Sequence, residues 1–126
     1  MTIKYTKDHE WIKIENGIAT LGITQHAADA LGELVYVELP ETGSKFSKGE
    51  APVVVESSKS ASDVYIPVSG QIEAVNEDLV SNPENVNDSP YEKGWLIKIK
   101  LDPGYESDLS ECLTEEQYEE FLKENE

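Results

Sequence analysis

The residue best placed for chemistry in this chain is Lys59. It lies in the stretch Val53-Val54-Val55-Glu56-Ser57-Ser58-Lys59-Ser60-Ala61-Ser62-Asp63-Val64-Tyr65-Ile66. Two β-prone runs, Val53 to Val55 and Val64 to Ile66, flank small polar residues, a pattern that predicts a hairpin with Lys59 near its tip. Ser57, Ser58, Ser60, Ala61 and Ser62 offer no bulk to hide the amine from a visiting enzyme. A hairpin-tip lysine is ordinarily solvated charge, so periodicity alone does not single this one out. The other reactive side chains are thinner candidates. Cys112 is the only cysteine; it cannot form an internal disulfide or a Cys-x-x-Cys pair, and it is expected to be a small core residue. His9 and His26 have no Cys/His companions at metal-ligand spacing, so no metal is expected. His26 reads as a surface or packing residue. No catalytic residue is predicted.

An ε-amine can be acylated to an amide, which removes its charge. Ordinary lysines hold little free amine at neutral pH. An enzyme that acylates one must therefore supply both the deprotonation and the activated acyl group. In a chain with one thiol, any redox or sulfur chemistry must come from an attached group.

The segment Glu56-Ser57-Ser58-Lys59, Ser60-Ala61-Ser62-Asp63-Val64 and then Pro67-Val68-Ser69-Gly70 resembles the lipoyl-attachment segment of the glycine cleavage system H protein family. So do Lys4-Tyr5-Thr6-Lys7-Asp8-His9-Glu10-Trp11, Gly22-Ile23-Thr24-Gln25-His26-Ala27 and Pro90-Tyr91-Glu92-Lys93-Gly94-Trp95-Leu96-Ile97-Lys98-Ile99. The motifs run in order over nearly the whole chain. The resemblance implies lipoate on Lys59, with Glu56 recognised by the lipoate-attaching enzyme and Asp63 on the surface near the arm. It also implies that the loaded arm folds back near Asp8 and Glu10. Biotin-bearing hairpins, the competing type, typically place methionines beside the lysine; here the flanks are Ser58 and Ser60. One departure is Ser58 itself, where the family commonly has an aliphatic residue.

The function implied is that of a shuttle. Aminomethyl groups pass from a pyridoxal-phosphate glycine decarboxylase to an aminomethyltransferase using tetrahydrofolate, and dihydrolipoyl dehydrogenase reoxidises the arm. The protein would be a substrate of these enzymes and not itself an enzyme. An alternative is a lipoyl donor that relays the group to other 2-oxoacid dehydrogenase complexes. A lipoyl domain of a larger acyltransferase fits less well, because no Pro/Ala-rich linker is present.

A length of 126 residues suits one domain, 1–126, with a sandwich core at about 17–101 and a helical tail at 107–124. With 26 acidic against 10 basic residues the net charge is −16. Such a surface repels phosphate backbones and disfavours nucleic acid, while favouring basic partner surfaces. No apolar run approaches a membrane span. The first residues form neither a signal peptide nor an Arg-rich transit peptide, which predicts a cytoplasmic protein, or one of the mitochondrial matrix if a eukaryotic transit peptide has been removed. The chain reads as a monomer.

Asn16-Gly17 is the strongest hairpin signal; it separates strands at Trp11 to Glu15 and Ile18 to Ile23, with Trp11 a core anchor. Thr24 is placed to cap a helix over 25–31 that ends at Gly32. A strand is expected over 33–39. The alternation of 95–101 would turn Trp95, Ile97, Ile99 and Leu101 inward. Residues 76 to 91 read as turn chemistry throughout. In the tail, Ser107 is expected to cap a short helix, and Thr114-Glu115-Glu116-Gln117 is a capping box with Leu113 and Tyr118 as its staple. The last residues, 124–126, are expected to fray.

Two echoes divide the chain. Val37-Glu38-Leu39-Pro40-Glu41-Thr42-Gly43 matches Val64-Tyr65-Ile66-Pro67-Val68-Ser69-Gly70, and Lys48-Gly49 ahead of the Val53 run matches Lys93-Gly94 ahead of Trp95. These halves fit a mainly β fold of the lipoyl/biotinyl type: a barrel-sandwich hybrid of two antiparallel sheets with pseudo-twofold halves, one short helix near 25–31 and C-terminal helices. The glycines of the echo are expected to permit tight turns or positive φ, and Gly70, beyond the lysine hairpin, to fix the hairpin's aim.

Overall fold

The Asn16-Gly17 signal starts the larger sheet. In the computed structural model, which describes residues 2–124, β1 (Thr2–Tyr5) pairs antiparallel with β2 (Glu10–Glu15), and β2 with β3 (Ile18–Ile23). Asn16 (φ 53°) and Gly17 (φ 77°) both take the left-handed conformation that a two-residue hairpin loop requires. Helix α1 (Gln25–Leu31) follows. The Thr24 hydroxyl accepts from the Ala27 N–H at 3.3 Å, and Gly32, at φ 84°, ends the helix by donating to the Ala28 carbonyl.

Six further strands complete two sheets: β4 (Leu34–Glu38), β5 (Lys45–Phe46), β6 (Val53–Ser57), β7 (Ala61–Val64), β8 (Gly70–Val75) and β9 (Ile97–Leu101). The larger sheet has the order β1-β2-β3-β9-β8-β5 and the smaller β4-β6-β7, with every pairing antiparallel. This is the mainly β, two-sheet fold expected from the sequence, and the sheets do not close into a barrel. Inward side chains of both sheets form one core, among them Ile12, Leu21, Val37, Val55, Ile72 and Ile99. The core takes in Ile12 and Ile14 of β2, ahead of the 17–101 span read from sequence.

Three local expectations are corrected. Residues 76–91 are not turns throughout: they hold two one-turn helices, α2 (Asp78–Ser81) and α3 (Asn85–Asp88). Each is anchored by one fully buried aliphatic, Leu79 or Val86. The asparagines there satisfy backbone groups: the Asn76 side chain donates to the Lys93 and Trp95 carbonyls, both at 2.8 Å, and Asn87 donates to the Gly32 carbonyl at 2.8 Å. Trp95 does not face the core. The last strand starts two residues later, Leu96 and Ile97 are both buried, and the half-exposed Trp95 ring lies under the Lys98 ammonium at 5.3 Å. Ser107 does not cap a helix but lies inside α4 (Tyr105–Asp108), which begins after Gly104 at φ 85° and runs into a 3-10 turn, Leu109–Glu111.

The final helix, α5 (Glu115–Glu124), starts at the predicted box. The Thr114 N–H donates to Gln117 Oε1 at 2.9 Å, and the Gln117 N–H to Thr114 Oγ1 at 3.2 Å. Leu113 and Tyr5 exchange two backbone hydrogen bonds of 2.7 and 2.8 Å, and the Tyr5 and Tyr118 rings stack at 5.1 Å. These contacts bind the tail to β1. The expected fraying at Asn125 and Glu126 lies outside the described residues.

Candidate functional site

Strands β6 and β7 form the expected hairpin, with Val53 opposite Val64 and Glu56 opposite Ala61. Its tip is held by Ser57. The Ser57 N–H donates to the Ser60 carbonyl at 2.8 Å, and its hydroxyl accepts from the N–H groups of Lys59 and Ser60 at 3.3 and 3.2 Å. A hydroxyl that caps its own turn is a common use of serine. The sequence reading valued Ser57 only for its lack of bulk. Ser58, Lys59 and Ser60 are all exposed. Among the described residues, no carboxylate lies within ion-pair distance of Lys59. Its amine is the one side-chain group among residues 57–60 that can form an amide.

Glu56, half-buried, and Asp63, exposed, sit on the two strands below the tip. Gly70 sits elsewhere. It opens β8, opposite Leu101 on one side and Phe46 on the other, and its φ is not positive. The expected role of freeing the backbone is therefore corrected to one of close approach: a Cβ there would lie 2.4 Å from the Lys100 carbonyl oxygen and 2.5 Å from Ile99 Cγ2. Its echo partner Gly43 does take positive φ, at 93°. The two halves repeat a pattern of residues and use their glycines differently.

The strand that leaves the tip leads through Tyr65 into a cleft of about 820 Å³, lined among others by Thr6, Asp8, Glu10, Lys48, Tyr65 and Cys112. Asp8 and Glu10 are thus brought together there; Lys59, Glu56 and Asp63 do not line it. Glu10 is only 3% exposed. The Thr6 hydroxyl lies 2.6 Å from its Oε1, and the Tyr65 N–H donates to its Oε2 at 3.2 Å. The Glu10 N–H donates back to Thr6 Oγ1 at 3.1 Å, closing a tight turn. Burial pushes the Glu10 pKa from 4.5 up to about 7; the negative Asp8 adds to this, and the hydrogen bonds from Thr6 and Tyr65 oppose it. The site therefore holds a carboxyl close to its titration point at neutral pH.

The turn is braced from outside the cleft. His9, between Asp8 and Glu10, has a left-handed backbone at φ 68°. Its carbonyl accepts from the Thr24 N–H at 2.9 Å, and its Nδ1 is 2.8 Å from the Tyr118 hydroxyl. That hydroxyl is in turn 2.7 Å from Thr24 Oγ1. The exposed His26 ring packs on His9 at 4.6 Å, in line with its reading as a packing residue. Burial and the neighbouring His26 lower the His9 pKa, opposed by Asp8. The structure thus locks a strained turn that aims Glu10 inward.

Cys112 is not a core residue. It follows the 3-10 turn and lies half-buried in the cleft wall, where burial raises its thiol pKa. Sequence reasoning missed Thr6, Lys48, Tyr65 and Cys112 as cleft residues. Only Thr6, four positions from Glu10 across a turn, left a local signal.

The glycine cleavage H-protein family profile matches residues 3–125. A glycine cleavage system H protein of Staphylococcus epidermidis is 50% identical over 121 residues, which span 96% of this chain and 94% of that protein. One from Alcanivorax borkumensis is 52% identical over 117 residues, 93% of this chain and 90% of that protein. The crystal structure of a glycine cleavage system H protein from Mycobacterium marinum superposes with a TM-score of 0.84 at 40% identity, covering 98% of this chain and 95% of that one. The chain therefore belongs to the glycine cleavage H-protein family, and is a carrier protein of the glycine cleavage system rather than an enzyme.

Proposed function

We propose that Lys59 carries lipoate through an amide on its Nζ, and that the cleft at Glu10 shelters the far end of that arm. The observation that carries the reading is the arrangement itself. An exposed lysine stands on a tip without bulk, and the strand leaving that tip runs to a cleft with a buried carboxyl of pKa about 7. Bound lipoate supplies the redox-active sulfur that a chain with one cysteine lacks.

Glu10 does the holding. A cationic amine entering the cleft favours the charged carboxylate, so Glu10 gives up its proton to solvent and accepts a charge-assisted hydrogen bond from the amine. Thr6 and the Tyr65 N–H keep the carboxylate aimed while this happens. Asp8, exposed at the mouth, adds attraction. Partial exclusion of water protects a carbon–sulfur bond that would otherwise release ammonia and formaldehyde. Glu56 serves recognition by the lipoate-attaching enzyme, and Asp63 flanks the root of the arm.

The partners of this carrier are then a pyridoxal-phosphate glycine decarboxylase, a tetrahydrofolate-dependent aminomethyltransferase and dihydrolipoyl dehydrogenase. One experiment tests both halves. Protein incubated with a lipoate ligase, ATP and lipoate should gain one lipoyl mass, and Lys59→Arg none; a full shift in that variant removes Lys59. Once loaded and separated from partners, Glu10→Ala should release formaldehyde several-fold faster than the parent. Superimposable release curves remove Glu10.

A further inference from the structure

Val35 and Tyr36 are consecutive residues of β4, yet both face solvent, at 59% and 47% exposure. In a regular strand one of two neighbours points inward. Here a bulge breaks the alternation: Leu34 stands opposite Ser57 and Tyr36 opposite Glu56, so Val35 is the extra residue. Strand β4 is an edge of the smaller sheet, and α2 packs beside it, carrying Val80 at 63% exposure. Exposed carboxylates bracket this apolar surface at Glu33, Glu38, Glu77 and Asp78. The bulge thus places large apolar side chains in water one strand away from the segment that leads to Lys59.

We infer that this surface docks the enzyme that acylates Lys59, through a complementary face that is apolar at its centre and basic at its rim. The inference rests on the proposal that Lys59 is acylated. The tip itself offers that enzyme only hydroxyls and backbone, which is too little for a stable grip. An unmodified amine reaches only a lysine's length, so the acylating enzyme must press against the hairpin's base. Enzymes that act on the finished arm meet it at its far end and need not approach so closely. Tyr36 is paired directly with Glu56, three positions from Lys59, and therefore lies within that footprint. Large side chains in a fully covered centre supply most of the affinity of protein interfaces. The flanking carboxylates and the net charge of −16 select a basic rim and speed encounter.

The test uses the Val35→Thr/Tyr36→Thr double variant, since β-branched replacements preserve strand preference. Acylation by a lipoate ligase with ATP and lipoate, followed by intact mass, should show kcat/KM lowered about tenfold, with the loss in KM. Val35→Lys, which sets a cation against the partner's apolar centre, should act in the same direction. Variants lipoylated to completion should be turned over by dihydrolipoyl dehydrogenase at the parent rate. Equal acylation of parent and double variant, with Lys59 modified in both, overturns the docking inference and leaves the attachment site standing. Equal slowing in the dehydrogenase assay overturns it too, because the surface would then serve every partner. A parent modified elsewhere than Lys59 overturns the attachment proposal and this inference with it. Should the double variant lose its thermal transition, Val35→Lys alone decides by the same criteria.

Discussion

Glu10 is a carboxyl whose ionisation the fold delays to about neutral pH. Its folded pKa of about 7 lies above the ordinary 4.5, because burial penalises the charge. Between those values the folded chain holds a proton that the unfolded chain has released. The stability Glu10 contributes is therefore complete below about pH 4.5 and is lost as pH rises through about 7. Glu10→Gln keeps an oxygen for the Tyr65 N–H and an N–H for the Thr6 hydroxyl without ever ionising. The stability of that variant relative to the parent should rise with pH across this window, by at most on the order of 3 kcal/mol. Urea unfolding at a series of pH values checks it, and a difference independent of pH would sink it. Little of this was legible in the sequence. Asp8 and Glu10 came from the family resemblance, and nothing local marks Glu10 as buried. Its second hydrogen-bond donor, the Tyr65 N–H, comes from 55 positions away.

At the scale of elements, Gly70 shows how a glycine can be read correctly as special and wrongly as flexible. Its missing Cβ makes room for the Lys100 carbonyl, 2.4 Å from where that carbon would sit. A backbone oxygen in a paired strand cannot swing aside, so a methyl group there forces β8 and β9 apart. We expect Gly70→Ala to destabilise the fold by about 1–3 kcal/mol, while Lys59 remains open to acylation in whatever fraction stays folded. Chemical denaturation decides, and unchanged stability would refute the packing role. The hairpins, α1 and the capping box of α5 were legible because each is written in adjacent residues: Asn16-Gly17, Thr24 with Gly32, Thr114 with Gln117. One-turn helices such as α2 are too short to show a period. The inward alternation assigned to Trp95 failed because the strand begins only at Ile97, a boundary set by contacts with β3 and β8. The bulge in β4 was hidden for the same reason, since it exists only relative to β6.

At the scale of the whole molecule, the net charge of −16 acts on stability as well as on encounter. The acidic surface repels itself, and few lysines offset it; the one ion pair among the described residues, Lys48 with Glu111, is loose at 4.0 Å. Added salt screens that repulsion. The melting temperature should rise as sodium chloride goes from about 10 to about 150 mM, over which the screening length falls from roughly 30 to 8 Å. A flat or falling melting temperature would show that self-repulsion is not a material cost. Among the described residues, no helix is long and apolar enough to cross a membrane.

The cleft wall joins residues far apart in sequence. Thr6, Asp8 and Glu10 line the cleft together with Asp108, Glu111 and Cys112, and the brace behind them, His9 to Tyr118, spans 109 positions. The lysine hairpin, in contrast, is built from immediate neighbours, whose pairing closes only a short loop. During synthesis the hairpin has all its parts well before the cleft does. If Lys59 bears the proposed arm and the cleft shelters it, acquiring the arm and protecting its load draw on parts of the chain completed at different times, and so are separable events in the life of one molecule.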